Sequence, residues 1–171
     1  MKNYEIGEEL YYKGKYSEAY KMFESVFELN DGDKINALNY MGCCLLNESN
    51  YTKAIEFFDR VSKEAPDWER PVFNKGRAYI YLQEYGKALD LLKLALLINP
   101  QQPDTYFYIG VYYEKTGDLK EALVWYKKSL KIDNGQPDVH LNLGKIYFKL
   151  NDIKKALLEF KKAILCDRQF S

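Results

Sequence analysis

The sequence predicts an all-α fold, an α-solenoid built from five copies of one helix-turn-helix unit. Three observations predict it. Gly7, Gly42, Gly76, Gly110 and Gly144 recur at intervals of 35, 34, 34 and 34 residues. Each is followed after 12 residues by an alanine (Ala19, Ala54, Ala88, Ala122, Ala156) and after 16 by a large apolar residue (Phe23, Phe58, Leu92, Tyr126, Phe160). Apolar residues fall at helical spacing around both landmarks, as at Leu38, Met41 and Leu45. With 5 Pro and 10 Gly in 171 residues, punctuation is too sparse for many short strands and turns.

The elements follow in order. In the first unit (about 1–34) a helix carries Gly7 and Leu10, Lys13-Gly14-Lys15 forms a polar turn, and a second helix starts at Tyr16 and runs through Ala19, Phe23 and Val26. Asn30-Asp31-Gly32-Asp33 closes it. The second unit (35–68) repeats this with Gly42 and Leu45, the turn Glu48-Ser49-Asn50, a second helix from Tyr51 through Ala54, Phe58 and Val61, and the breaker Ala65-Pro66-Asp67. The third (69–102) has Pro71 near its start, Gly76 and Tyr79, then Tyr85, Ala88, Leu92 and Ala95, and ends at Asn99-Pro100. The fourth (103–136) opens on Pro103, carries Gly110 and Tyr113, turns at Lys115-Thr116-Gly117-Asp118, resumes at Leu119 with Ala122, Tyr126 and Ser129, and ends at Asn134-Gly135. The fifth (137–171) opens on Pro137, carries Gly144 and Tyr147, turns at Leu150-Asn151-Asp152, and resumes at Ile153 with Ala156, Phe160 and Ala163. Proline suits a first helical turn, where its missing N–H has no partner to lose.

The residue sizes have a reason. Small Gly and Ala let two helix backbones approach, and the aromatic or Leu beside them fills the gap. A lone pair of ~13-residue helices is marginal in water. Stacked pairs share one core, so residues 1–171 are expected to form a single solenoid.

Composition excludes several functions. Lys plus Arg equals Asp plus Glu at 25 each, without the basic excess expected of a nucleic-acid binder. Aromatics at 16% argue against disorder. No apolar run approaches the ~18 residues a membrane span needs, and acids stand where a signal peptide needs its apolar stretch. Three cysteines, two of them the neighbours Cys43 and Cys44, make no disulfide framework and suggest a reducing, cytoplasmic setting. Catalysis lacks its parts. His140 is the sole histidine and reads as a packing residue, while Cys43 reads as a small buried hydrophobe rather than a reactive thiol. No Cys-x2-Cys, no His-x3-His and no glycine-rich phosphate loop is present. The expectation is a protein that is not an enzyme and has no metal and no cofactor.

The pattern Gly76-x2-Tyr79, Ala88-x3-Leu92, Ala95, Pro100, at a period of 34, resembles the tetratricopeptide repeat (TPR). The resemblance covers essentially the whole chain. Departures are modest: Asp31, Asn134 and Arg168 stand at the closing proline in units one, four and five, and no unit has Trp at the early aromatic position, which Tyr106 and His140 occupy in the last two. The resemblance implies a right-handed superhelix whose concave groove is lined by the first helices, and a non-enzymatic scaffold or peptide-binding role.

Residues two to three before and one after each glycine are then expected to face that groove. The lining so predicted is Tyr4, Asn39, Tyr40, Phe73, Asn74, Arg77, Phe107, Tyr108, Asn142 and Lys145, with Glu5, Glu8, Cys43, Val111 and Leu141 on the same stripe. Its aromatics offer contact area, its Asn amides match both polar groups of a peptide backbone, and Arg77 and Lys145 suit a carboxylate. The same aromatics also fit packing between adjacent first helices. The chaperone-binding carboxylate clamp known in some members is not matched: its positions hold Tyr4, Glu8, Tyr40, Arg70 and Asn74.

Charge is polarised, at −5 over residues 1–68 and +5 over 69–171. The last helix, from about Ile153 to Cys166, is followed by too few residues for a capping helix, so Leu157, Leu158, Ile164 and Leu165 are expected to form a sticky end. That end would serve a homodimer, a partner helix or a longer parent chain. A second reading of the whole chain is a targeting segment of a larger enzyme or assembly, with catalysis elsewhere. The expected partner is a protein or peptide, with no nucleic acid and no membrane span.

Overall fold

The computed structural model describes residues 2–29 and 33–168. Among them are ten helices and no strand. The turn expected at residues 30–32 and the tail at 169–171 lie outside the described residues. The chain divides into two compact units, Met1–Ile98 and Asn99–Ser171.

The first unit holds three helix pairs: α1 (Lys2–Tyr12) with α2 (Tyr16–Leu29), α3 (Lys34–Asn47) with α4 (Tyr51–Glu64), and α5 (Glu69–Tyr81) with α6 (Tyr85–Ile98). Each pair packs on the next, α2 against α3 and α4 against α5. The second unit holds α7 (Pro103–Thr116) with α8 (Leu119–Ile132) and α9 (Pro137–Lys149) with α10 (Ile153–Arg168), α8 packing on α9. Every second helix begins at the bulky residue expected, three before its alanine. Pro103 and Pro137 open their helices, and Pro71 sits in the first turn of α5.

The Gly/large-residue pairing is steric. A Cβ on Gly7 would lie 2.9 Å from the Phe23 ring, on Gly42 2.7 Å from Phe58, and on Gly76 3.0 Å from Leu92. In the second unit a Cβ on Gly110 would lie 2.5 Å from Tyr126, and one on Gly144 would run into the Phe160 ring. The residue sixteen positions on therefore sits directly over the glycine backbone of the paired helix. Ala19, Ala54, Ala88 and Ala122 are fully buried beside these contacts. Where the fourth repeat has Ser129 rather than alanine, the buried hydroxyl donates to Pro103 O at 2.8 Å and pairs with the Gln136 side chain, tying α8 to the ends of α7 and α9.

The turn within each pair has one residue at positive φ, seven after the packing glycine: Gly14 (74°), Ser49 (63°), Gln83 (61°), Gly117 (91°) and Asn151 (61°). In four of the five the following N–H reaches back five residues, as Lys15 N to Leu10 O at 2.9 Å and Glu84 N to Tyr79 O at 2.9 Å. This is the left-handed helix terminator that satisfies otherwise orphaned carbonyls. Asp33 caps α3 through Asn36 N and Asp118 caps α8 through Glu121 N, both at 3.0 Å.

In the second unit α9 and α10 are joined by a buried polar pair. His140 Nδ1 lies 2.6 Å from Glu159 Oε2, and Lys162 donates to Glu159 Oε1 at 2.9 Å. Burial works against the Glu159 charge, yet the Lys162 and His140 hydrogen bonds outweigh it and hold the carboxyl below its ordinary value. Leu157 (64% exposed), Leu158 (52%), Ile164 (56%) and Leu165 (49%) stand out from α10, whereas Ala156 is buried. No described helix is long and apolar enough to cross a membrane.

Candidate functional site

In the first unit the first helices converge on a cleft of about 360 Å³. Tyr11 and Tyr12 come from α1, Asn36, Asn39, Tyr40 and Cys43 from α3, and Arg70, Asn74 and Arg77 from α5, with Trp68 just ahead of it. Four residues of the predicted lining meet here: Asn39, Tyr40, Asn74 and Arg77. They do so because positions −3, −2 and +1 around the packing glycine form one helix stripe. Sequence reasoning missed Tyr11, Tyr12, Asn36, Trp68 and Arg70 as lining. The signal was present: four of them continue the same stripe one turn further, at +4 and +5 or at −6.

The wall is polar and ordered. Asn74 is 4% exposed; its Nδ2 donates to Cys43 Sγ at 3.3 Å and its Oδ1 accepts from Arg77 at 3.1 Å. The Arg77 guanidinium lies 5.6 Å over the Phe73 ring. The Tyr40 hydroxyl donates to Glu8 at 2.9 Å and lies 3.3 Å from the Tyr12 hydroxyl. Its ring stacks on Phe23 at 4.8 Å. Asn39 is 8% exposed, and its Oδ1 is buried with no hydrogen-bond partner. A buried acceptor left unpaired costs about 1–3 kcal/mol. Burial pushes the Cys43 thiol up to about 11, with Arg77 and Arg70 pulling the other way, so it is a neutral hydrogen-bonding group and not a nucleophile at pH 7.

Other predicted lining residues sit differently. Phe73 was expected to face the groove, but it is 2% exposed and belongs to the interior, because its neighbours on α5 carry the cleft wall. Tyr4 packs edge-on against Phe23 and Tyr40, and burial with nearby Glu8 pushes its hydroxyl up to about 12. In the second unit Phe107 packs against Tyr108 and Tyr126. Asn142 Nδ2 donates to the Tyr126 hydroxyl at 3.4 Å and Lys145 donates to Asn142 Oδ1 at 3.4 Å. Tyr126 in turn donates to Glu114 at 2.9 Å. A separate depression there is lined by Asn134, Gly135, His140, Lys162, Leu165 and Cys166. Among the described residues no group of three or more His, Cys, Asp or Glu is placed to hold a metal ion.

Paired helices with a glycine-to-aromatic lock, and a polar cleft on their first-helix face, define a helical-repeat protein of the kind that binds other proteins. The family models agree: residues 112–151 match a TPR repeat, 137–170 a tetratricopeptide repeat, and 12–95 the anaphase-promoting complex, cyclosome, subunit 3. The chain belongs to the tetratricopeptide-repeat family. It is 34% identical over 110 residues to a UDP-N-acetylglucosamine–peptide N-acetylglucosaminyltransferase of Giardia intestinalis, which covers 64% of this chain and 7% of the transferase. It is 33% identical over 108 residues to the Photosystem I assembly protein Ycf3 of Prochlorococcus marinus, 59% of this chain and 62% of that one. The chain thus spans less than two thirds of either relative. The thermophilic TPR protein TTC0263 of Thermus thermophilus has the same fold, with a TM-score of 0.86 at 22% identity over 95% of this chain and 89% of that one.

Proposed function

We propose that this chain is a non-enzymatic interaction module that takes an extended peptide segment of a partner protein on its first-helix face, in the cleft between α1, α3 and α5. The observation that carries this reading is Asn39: an amide 8% exposed, in a cleft wall, with a buried Oδ1 lacking any partner. A peptide backbone supplies the missing N–H and a carbonyl for the amide's other end. Tyr12, 76% exposed at the cleft, supplies aromatic contact with little rotamer entropy to lose. The names of the relatives, an assembly protein and a complex subunit, support a role within multiprotein assemblies. A reducing cytoplasm suits three free cysteines. The balanced charge speaks against nucleic acid as the partner. The exposed apolar residues of α10 suit a homodimer through that end.

The test is selection of binders from a random 12-residue peptide library, followed by fluorescence anisotropy on the selected peptides. Tyr12→Ala combined with Asn39→Ala is expected to weaken them at least tenfold, about 1.4 kcal/mol. Unchanged affinity with the fold intact would move the site out of the cleft. A second reading, a substrate-recognition segment of a larger enzyme, is favoured by the match to 7% of a glycosyltransferase. The length of the native reading frame separates the two.

A further inference from the structure

We infer that the first unit carries a second site, a pocket that takes a small organic carboxylate with an apolar body. The pocket holds about 360 Å³ and lies where the C-terminal ends of α2 and α4 meet the N-terminal end of α3. It shares no lining residue with the cleft between α1, α3 and α5, so it stands or falls apart from the peptide reading. Phe27, Ile35 and Leu38 form its apolar part, and Lys34, Arg60 and Lys63 bring three cations to it. Residues 1–68 hold only 8 Lys and Arg against 13 Asp and Glu, so three cations on one pocket run against the charge of the surrounding chain. Glu64 is the one carboxylate among the described lining residues. Among the described residues none of Lys34, Arg60 and Lys63 is in an ion pair. Asp33, next to Lys34 in the chain, caps α3 and accepts from the backbone and side chain of Asn36.

Rings rather than acids hold two of the cations. Arg60 Cζ lies 5.4 Å from the centre of the Phe57 ring and 5.8 Å from that of Phe27, and Lys34 Nζ lies 5.3 Å from the same Phe27 ring. These contacts place both charges without neutralising them. Two cations drawn to one ring repel each other, and an anion between them relieves the repulsion. The guanidinium fork offers that anion two parallel hydrogen bonds if it is a carboxylate. Charge alone does not make the site, because Arg60 and Lys63 are exposed and water screens them. Affinity needs an apolar body as well, set against half-buried Phe27 and Ile35 and buried Leu38. The volume is at the small end for a ligand pocket and suits about ten non-hydrogen atoms. Glu64 sets the charge of the ligand: it repels a dianion such as a phosphate monoester more than a monoanion.

The experiment titrates phenylpropionate into the full chain and follows the Ile35 and Leu38 methyl signals by NMR. A saturating shift is expected, with a Kd of about 1 mM for a ligand of this size. The neutral isostere phenylpropanamide is expected to bind about fivefold more weakly, and acetate, a charge without a body, to leave both methyls unmoved. With Lys34→Gln and Arg60→Gln the acid is expected to fall to the affinity of the amide, while the amide itself changes less than about twofold. Unchanged amide binding reports an intact pocket. If the double variant misfolds, the comparison of acid with amide on the unaltered chain still decides. Equal affinity for acid and amide, or no saturating shift at Ile35 by about 20 mM, would overturn the inference. Shifts concentrated at the Asn39 and Asn74 amides would place the anion in the other cleft and overturn it too. Phenyl phosphate binding about tenfold more tightly than phenylpropionate would make this a phosphate site and overturn the carboxylate assignment.

Discussion

Gly110 has no room for a methyl group. Its Cβ would lie 2.5 and 2.6 Å from Tyr126 ring atoms, and that ring is fully buried with its hydroxyl fixed on Glu114. The ring cannot retreat, so Gly110→Ala is expected to lower stability by about 1–3 kcal/mol. Gly86 is the counter-case: it lies in the first turn of α6 with nothing within 4 Å of the added carbon. Gly86→Ala is expected to raise stability by about 0.5–1 kcal/mol, through the lower entropy of the unfolded chain. Urea unfolding checks both. At this scale the sequence was fully legible for packing, because glycine, alanine and an aromatic repeated at fixed offsets are what a close helix pair demands. It was less legible for the site. Phe73 and Asn39 stand at the same offset from their glycines, yet one fills the interior and the other lines the cleft with its amide oxygen buried and unpaired. Offset gives the stripe; the side chains of neighbouring helices decide what stays open.

Between helices, the left-handed turn residue carries the next level of information. The five positive-φ positions fall seven after each packing glycine, but only two are glycine. Gly117→Ala is expected to cost about 1–2 kcal/mol, the penalty of a Cβ in this conformation, while Gln83→Gly relieves the same strain and gains up to about 1 kcal/mol. Thermal unfolding of the two variants should move in opposite directions. The starts of the second helices were legible to the residue because each follows such a turn. The α9–α10 link was not, because His140 and Glu159 are 19 residues apart and each looks ordinary alone. Its pH consequence has a definite sign. The Glu159 carboxyl is held below its ordinary value of 4.5, so the stability it contributes is present above that value and lost as pH falls below it. Glu159→Gln is expected to flatten the decline of unfolding free energy below about pH 4.5, and a parallel decline in both proteins would assign the acid sensitivity elsewhere.

Over the whole chain, the expectation of one array across residues 1–171 is a proposal with a convenient probe, since Trp68 lies in the first unit and Trp125 in the second. Trp68→Phe and Trp125→Phe leave one reporter each. Coincident urea transitions are expected if nearest-neighbour stacking runs through all five repeats, and separated ones would mean independent units. The end face of α10 is tested by light scattering at micromolar concentration: self-association is expected, and Leu157→Lys with Ile164→Lys should abolish it. The repeat made the architecture legible in advance because a period is a property of the entire chain. The cleft chemistry is a property of three helices together, which is why Trp68 came into view only with the fold.

The central claim is that a partner peptide occupies the cleft between α1, α3 and α5. Side-chain amide and guanidinium NMR signals test it most directly, recorded on the full chain while a library-selected 12-residue peptide is titrated in. The largest shifts are expected at the Asn39 and Asn74 amides and the Arg70 and Arg77 guanidiniums. A shift concentrated instead on the second-helix guanidinium of Arg60, with Asn39 unmoved, would contradict it.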